Sequence, residues 1–178
     1  AALNGNVISL NNKTISLTAV SMYQEPVNTY KVINKGSSKI GYLFYTDYTL
    51  KSHEKLLEVL QSFKASGVTD VILDLRYNLG GYSLTSQILS SMLAPASVVS
   101  GKQIFLKQIW NDDYTDYWKK QGEDLDEYFS YTYNYEDEDS KRVNLSVESA
   151  NLNLSRLFVL VSGNTASASE ATITGLSP

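Results

Sequence analysis

The chain twice places a short apolar run before a turn of small or polar residues that leads into a helical pattern. The first unit has the run 71–75, the turn 76–81, and apolar residues at helical spacing over 82–93. The second has the run 157–161 and a small-residue helix start at 165–171. Because apolar runs of this length suit strands covered on both faces, the pattern favours an α/β domain with a largely parallel sheet and right-handed crossovers.

Three further segments extend this pattern. Residues 40–45 predict another strand, and residues 50–65 carry leucines and a phenylalanine at helical spacing, with Gly67 as the expected helix end. The run 102–109 is compatible with one more strand. The predicted domain therefore holds strands and helices in alternation, interrupted once by a long polar segment.

The beginning of the chain has a different character. Residues 7–10 and 14–20 predict two strands joined by a turn at Asn11-Asn12, because apolar and polar residues alternate through the second of them. We predict a short N-terminal β region over 1–33 and a main domain over 34–178. The β region is compatible with the end of a PDZ-like module, and a generic β-hairpin fits it as well.

A polar segment rich in tyrosine and acidic residues occupies about 111–149. We interpret it as a surface insertion in the main domain. Tyrosine offers apolar contact area with a polar tip, so the segment is compatible with a lid or a substrate platform. A solvated loop explains the same composition equally well, and the sequence leaves both readings open.

Composition excludes several classes of function. The net charge is -4, with 19 acidic and 15 basic residues, so no nucleic-acid partner is predicted. The chain has no cysteine and a single histidine, which removes disulfides and thiolate sites, and no apolar run approaches the roughly 20 residues of a membrane span. No metal is predicted, because the spacing of its clustered aspartates matches no known calcium loop; these are Asp112, Asp113, Asp116, Asp124 and Asp126.

The two turns carry the candidate chemistry. Turns that open a helix expose backbone N–H groups at its positive end, where a developing oxyanion can be bound without a basic side chain. A serine at such a turn presents its hydroxyl to a substrate. Each turn alone can also be explained by a purely structural role, since serine and threonine cap helices and glycines make tight turns. Together they supply the two halves that acyl transfer needs, a nucleophile and an oxyanion hole.

Two short signatures give the chain a family resemblance. Residues 74–81 read D-L-R-Y-N-L-G-G and residues 165–170 read T-A-S-A-S-E. They are similar to the D-L-R-x-N-x-G-G and [S/T]-A-S-A-S-E signatures of the carboxyl-terminal processing, or tail-specific, serine proteases. The likeness covers roughly residues 39 to 176, including Gly41-Tyr42-Leu43. Position 79, often proline in that family, is Leu79 here, a change that only loosens the turn.

The resemblance implies a ClpP/crotonase-like α/β fold and cleavage of peptide bonds in unfolded or carboxyl-terminally tagged proteins. It assigns Ser167 as the nucleophile, and an oxyanion hole to Ala168 together with Gly80 and Gly81. No cofactor is implied, and the partner is a polypeptide substrate. The resemblance and the absence of cysteine favour the cell envelope or an exported setting.

Three further matching positions, Arg76, Asn78 and Glu170, are expected to support the two turns. The general base implied by the resemblance is a lysine beyond residue 178, so we expect residues 1–178 alone to be nearly inactive. Lys141 is a poor substitute because its acidic neighbours would keep it charged. His53, on the polar face of a predicted helix, is expected to be a solvated residue.

Two other classes of function stay open. A non-catalytic relative could keep both turns and use them only to bind chain ends. An enzyme acting on acyl thioesters could use paired N–H groups in the same way without a serine nucleophile. Hydrolysis that depends on Ser167 would favour the peptidase over both.

Overall fold

The computed structural model describes residues 2–4, 7–10, 13–16, 18–20 and 22–177. Its helices are α1 (His53–Ala65), α2 (Ser83–Leu93), α3 (Ala96–Ser100), α4 (Asp112–Lys120) and α5 (Ala168–Gly175). Its strands are β1 (Ala2–Asn4), β2 (Val7–Leu10), β3 (Lys13–Ser16), β4 (Val27–Lys35), β5 (Ser38–Tyr45), β6 (Asp70–Asp74), β7 (Ile104–Lys107), β8 (Asp126–Tyr128), β9 (Thr132–Glu136), β10 (Arg142–Ser146) and β11 (Leu157–Leu160).

A four-stranded sheet in the order β11-β6-β5-β4 forms the centre of the domain. Strands β11 and β5 both run parallel to β6, and only β4 is antiparallel to its neighbour. The predicted α/β domain with a largely parallel sheet is confirmed. Because β6 and β11 are parallel neighbours, the turns that follow them leave the same edge of the sheet.

The core lies where α1 and α2 cover the central strands. Val71 and Leu73 of β6 are fully buried, as are the apolar residues that α1 turns inward. Gly41 on β5 is required by this packing, because a methyl group there would lie 2.6 Å from the Phe63 ring of α1. The predicted strands 40–45 and 71–75 and the helices 50–65 and 82–93 correspond to β5, β6, α1 and α2, with α1 extended at its start by the 3-10 turn Leu50–Ser52.

The N-terminal region contains the predicted hairpin and two strands that were not predicted, β1 and β4. Strands β2 and β3 pair in antiparallel register, with β1 alongside β2, while the Asn11-Asn12 turn lies outside the described residues. The second predicted strand, 14–20, ends at Ser16. Strand β4 pairs with β5 along most of its length, so residues 27–33 of the predicted N-terminal segment form an edge of the central sheet. A PDZ-like origin for the hairpin stays a prediction.

The segment 111–149 is more than the surface insertion that we expected. Helix α4 buries none of its residues, but Phe129, Tyr133 and Val147 have 6% exposure or less. The Tyr133 hydroxyl lies 2.6 Å from Ser91 Oγ of α2, and burial raises its pKa to about 12. Tyr133 can be buried because its hydroxyl has a hydrogen-bond partner inside the protein. Its neighbours in the sequence are polar, so its burial was not apparent from the sequence.

His53 is buried, and the prediction of a solvated histidine is wrong. Its exposure is 2%, and both ring nitrogens contact hydroxyl groups. Nδ1 lies 2.7 Å from the Tyr135 hydroxyl of β9, and Nε2 lies 2.8 Å from Thr85 Oγ1 of α2. Burial disfavours the charged imidazolium and lowers the pKa of His53 to about 4. A neutral imidazole therefore joins α1, α2 and the β9-β10 hairpin.

This histidine makes the stability of the fold depend on pH. Between its ordinary pKa of about 6.5 and the folded value, the unfolded chain binds the proton and the folded chain does not, so stability falls as pH falls. We expect His53 to lower the free energy of unfolding by about 2 kcal/mol between about pH 7 and pH 4.5. Urea unfolding of wild type and of His53→Gln at both pH values isolates this contribution. An unchanged pH dependence in the variant would contradict it.

No helix in the described part of the chain is long and apolar enough to span a membrane. Within the same residues, no group of three or more histidine and acidic side chains is arranged to hold a metal ion.

Candidate active site

The glycine turn, residues 76–81, follows β6 and is organised around a buried asparagine. Asn78 is fully buried; its side-chain amide donates to the Tyr45 carbonyl at 3.1 Å and its Oδ1 accepts the Gly80 N–H at 2.8 Å. Gly80 and Gly81 have φ values of 109° and 133°, which side-chain-bearing residues rarely adopt. The Gly80 N–H, one of the predicted oxyanion donors, is therefore already engaged by Asn78, whereas Gly81 N–H donates to no acceptor among the described residues.

The serine turn, residues 162–167, follows β11 and ends in a strained residue. Ser167 has φ 55° and ψ -119°, a conformation that costs a non-glycine residue free energy of order 1–3 kcal/mol. Its N–H donates to Glu170 Oε2 at 2.7 Å, so a carboxylate in the first turn of α5 holds it in this conformation. The same strand, strained serine and helix arrangement presents nucleophiles in other hydrolases.

The two turns meet. A methyl group added to Gly80 would lie 2.6 Å from Ser167 Cβ and 3.0 Å from the Ala168 nitrogen. The Asn78 carbonyl accepts hydrogen bonds from the Ala166 N–H and from Ser169 Oγ, both at 3.3 Å. Glycine at position 80 is thus what allows the turns to touch.

Two more hydrogen bonds join the serine turn to Leu75 and Arg76, where the chain leaves β6 and enters the glycine turn. Thr165 Oγ1 donates to the Leu75 carbonyl at 2.8 Å, and Ser162 Oγ donates to the Arg76 carbonyl. These bonds satisfy backbone carbonyls that follow β6 and have no strand partner. The serine turn is therefore bonded to residues 75–78 at three points, Ser162, Thr165 and Ala166.

The contact leaves the Ser167 side chain exposed at the surface. Ala168 begins α5, and its N–H, like that of Gly81, donates no hydrogen bond within the described residues. An exposed hydroxyl beside unpaired amide groups at a helix start is an arrangement that can attack a carbonyl and stabilise the resulting oxyanion.

The Arg76 side chain pairs with Asp74 at the end of β6 and forms no hydrogen bond to Ser167 among the described residues. Its guanidinium forms a two-point ion pair with Asp74, with Nε to Oδ1 at 2.9 Å and Nη2 to Oδ2 at 2.7 Å, and the Tyr42 hydroxyl also donates to Asp74 Oδ2 at 2.7 Å. The hydrogen bonds from Arg76 hold the pKa of the Asp74 carboxyl below its usual range. The stabilisation from this pair is therefore present at neutral pH and is lost as acid protonates the carboxyl.

Arg76→Ala is expected to destabilise the protein, because it leaves the buried Asp74 carboxylate with fewer donors. We expect the free energy of unfolding to fall by about 1–3 kcal/mol in urea titrations at neutral pH. Arg142→Ala is the matched control, because Arg142 is exposed and forms no ion pair among the described residues. Equal losses in the two variants would contradict the role given to the Asp74 pair.

No lysine or histidine side chain hydrogen-bonds to Ser167 among the described residues. Lys141 lies in the turn between β9 and β10, where its Nζ is 3.9 Å from Asp139. His53 already has a hydroxyl partner at each ring nitrogen. Neither residue is placed as a general base for this serine.

One residue at the site was missed by the sequence analysis. Tyr48 is fully buried, its main chain pairs with the glycine turn, and its hydroxyl lies 2.8 Å from Thr172 Oγ1 of α5. It lies just beyond the predicted strand 40–45, in a segment without periodicity. The only signal in the sequence was a pair of aromatic residues, Tyr45 and Tyr48, three positions apart.

The sequence model of one peptidase family matches residues 39–176 of the chain, which include both turns and the four elements that carry them. The chain belongs to peptidase family S41. The match begins within β5 and ends after α5. A search of curated proteins found no match.

Solved S41 structures share this fold. A protein of Bacteroides fragilis NCTC 9343 assigned to the S41 proteases is 24% identical with a TM-score of 0.69, over 96% of this chain and 42% of that one. The photosystem II D1 C-terminal processing protease is 18% identical with a TM-score of 0.57, over 93% of this chain and 37% of that one. At these identities the likeness shows the fold, and this chain spans about two fifths of each S41 relative.

Proposed function

We propose that the protein is a serine peptidase in which Ser167 is the nucleophile. The observation that carries the proposal is the contact of the two turns, which sets an exposed serine hydroxyl beside amide groups that donate no hydrogen bond to any described residue. Membership of peptidase family S41 supports the same reaction. The strained backbone of Ser167 adds support, because residues in such conformations concentrate at functional sites.

The proposed reaction is acyl transfer to serine followed by hydrolysis. Ser167 Oγ attacks the carbonyl carbon of the scissile bond while its proton passes to the base, and the carbonyl oxygen becomes an oxyanion held by the N–H groups of Ala168 and Gly81. The C–N bond then breaks, the amine leaves with a proton from the base, and water releases the acyl group. Asn78 and Glu170 hold the two turns in place throughout.

The proposed base is a lysine that is not among residues 1–178. A lysine accepts the serine proton only when neutral, so its site must lower its pKa from about 10.4. Among the described residues no lysine side chain hydrogen-bonds to Ser167, and His53 has a hydroxyl partner at each ring nitrogen, which is compatible with a base elsewhere in the protein. We expect residues 1–178 alone to hydrolyse peptides slowly or not at all.

The proposed substrates are unfolded polypeptides cleaved near their carboxyl ends. One S41 relative is named a C-terminal processing protease, and this chain shares its fold. Ser167 is exposed, so an extended chain can reach it, whereas a peptide bond inside a folded domain becomes accessible only when that domain opens. The expected order of reactivity is therefore unfolded before folded protein.

To test the proposal, the protein at its natural length is incubated with three forms of an unfolded polypeptide. The first has a free carboxyl terminus, the second a carboxyl-terminal amide, and the third a folded domain at its carboxyl end. Fragments are identified by mass spectrometry for wild type and for Ser167→Ala. Cleavage that requires Ser167 and is fastest with the free terminus supports the proposal. Binding without turnover would favour a non-catalytic peptide-binding protein. Hydrolysis of acyl thioesters without Ser167 would favour an enzyme that acts on acyl thioesters.

A further inference from the structure

Tyr48 lies between the glycine turn and α5 and touches both. It follows β5, is fully buried, and pairs with Gly81 as an isolated parallel bridge. Its N–H donates to the Gly80 carbonyl at 2.9 Å, and its carbonyl accepts the Tyr82 N–H at 2.8 Å. The main chain of Tyr48 thus fixes the turn on both sides of Gly81.

The approach of Tyr48 to Gly81 leaves no room for a side chain. A methyl group at Gly81 would lie 2.8 Å from the Tyr48 carbonyl carbon and 2.9 Å from its Cβ. The Tyr48 main chain cannot move away from such a methyl group without breaking its hydrogen bonds to the glycine turn. The location of the Gly81 N–H therefore depends on the location of Tyr48.

The Tyr48 side chain reaches the other half of the site. Its hydroxyl lies 2.8 Å from Thr172 Oγ1, and Thr172 Oγ1 lies 3.1 Å from both the Ala168 carbonyl and Ser86 Oγ. The Ala168 carbonyl can only accept a hydrogen bond, so the Thr172 hydroxyl can donate to it. In that arrangement Thr172 Oγ1 accepts the hydrogen bond that the Tyr48 hydroxyl donates. The chain of bonds ends on the first residue of α5, whose N–H is a proposed oxyanion donor.

We infer that Tyr48 is a positioning residue that sets the spacing between the Gly81 and Ala168 N–H groups. Its main chain holds the first group and its buried hydroxyl, acting through Thr172, holds the helix that carries the second. The inference rests on the proposed function, because the spacing matters for catalysis only if both amides bind an oxyanion. Donors of this kind stabilise a transition state only when they are held in the correct place before the reaction.

The test replaces Tyr48 with phenylalanine in the protein at its natural length. We expect kcat for polypeptide hydrolysis to fall about tenfold with KM unchanged, a smaller effect than the roughly hundredfold loss on removing an oxyanion donor. Tyr133→Phe is the matched control, because it removes a buried tyrosine hydroxyl that is bonded to α2 and, in the part of the chain that the structure describes, forms no hydrogen bond to either turn. Its kcat is expected to equal that of wild type.

Thr172 provides a second pair of variants, which decides the question if Tyr48→Phe does not fold. Thr172→Val removes the hydroxyl and is expected to lower kcat as Tyr48→Phe does, whereas Thr172→Ser keeps it and restores kcat. Because both residues act through one bond, the Tyr48→Phe/Thr172→Val double variant is expected to lose no more than either single variant. A purely structural hydroxyl would change unfolding and leave kcat unaltered.

Amide NMR spectra separate a failure of this inference from a failure of the proposed function. If wild type hydrolyses polypeptides and Ser167→Ala does not, the kcat values test the inference. Equal kcat values for Tyr48→Phe, Thr172→Val and wild type then overturn it. If wild type shows no such hydrolysis, the proposed function has failed, and the NMR spectra test the inference about Tyr48 instead. The Gly81 and Ala168 amide signals are then expected to shift in Tyr48→Phe and not in Tyr133→Phe, and unshifted signals overturn the inference.

Discussion

Replacing Ser167 with alanine is expected to lower kcat/KM for polypeptide hydrolysis by at least about a thousandfold in the protein at its natural length. The change removes the attacking oxygen and leaves the amide groups of the oxyanion hole in place. The Glu170 carboxylate still accepts the N–H of residue 167, because that bond involves only the main chain of the residue. Binding of substrate is therefore expected to persist while turnover is lost, which steady-state kinetics and an equilibrium binding measurement together can show.

The control for this variant is Thr174→Ala. Thr174 is an exposed hydroxyl residue of the same helix, six positions after the Ala168 that begins α5. Its replacement is expected to leave kcat/KM within about twofold of wild type, as for most exposed substitutions away from a site. A fluorophosphonate that labels serine nucleophiles is expected to modify wild type and Thr174→Ala and not Ser167→Ala. Full hydrolysis by Ser167→Ala would exclude this serine as the nucleophile.

The meeting of the two turns was the most predictable part of the site. Both follow short apolar runs, and such runs predict strands of a parallel sheet, whose carboxyl ends share one edge. The sequence did not reveal that β6 and β11 are direct neighbours; that order follows from the sheet as a whole. Nor did it reveal that Gly80 packs on Ser167, although paired glycines indicate a close approach of backbones.

Buried polar residues were the least predictable part. His53, Tyr133 and Tyr48 are buried because each finds a hydroxyl partner distant in the sequence, on α2, β9 or α5. Hydrophobic periodicity reports which positions face inward but not which polar groups will be satisfied there. This is why His53 was expected in solvent and Tyr48 went unnoticed.

Strand β4 was missed for a related reason. It lies at an edge of the sheet and most of its residues are exposed, so Val27–Lys35 has a mixed composition without a regular apolar face. Its pairing comes from the main chain, through the tight connection to β5 at Gly36, which has φ 61°. Edge strands of this kind carry little hydrophobic signal.

Gly80→Ala is expected to abolish most activity and to destabilise the fold. The added methyl group would lie 2.6 Å from Ser167 Cβ and 2.9 Å from the Ala166 carbonyl oxygen, so it forces the two turns apart. The φ of 109° adds strain for any residue with a side chain. We expect kcat/KM to fall about a hundredfold, as for a displacement of reacting groups by about 1 Å, and the free energy of unfolding to fall by about 2–4 kcal/mol.

Two other glycines separate the causes of that loss. Gly67 has φ 72° and open space around its missing side chain, so Gly67→Ala introduces backbone strain alone. Gly163 lies in the serine turn, with open space around its missing side chain and no positive φ, so Gly163→Ala introduces neither strain nor a clash. We expect Gly67→Ala to cost about 1 kcal/mol of stability and both controls to keep full activity. If Gly80→Ala matches Gly67→Ala in activity as well as stability, the contact between the turns has no part in catalysis, and the oxyanion hole must be formed without the glycine turn.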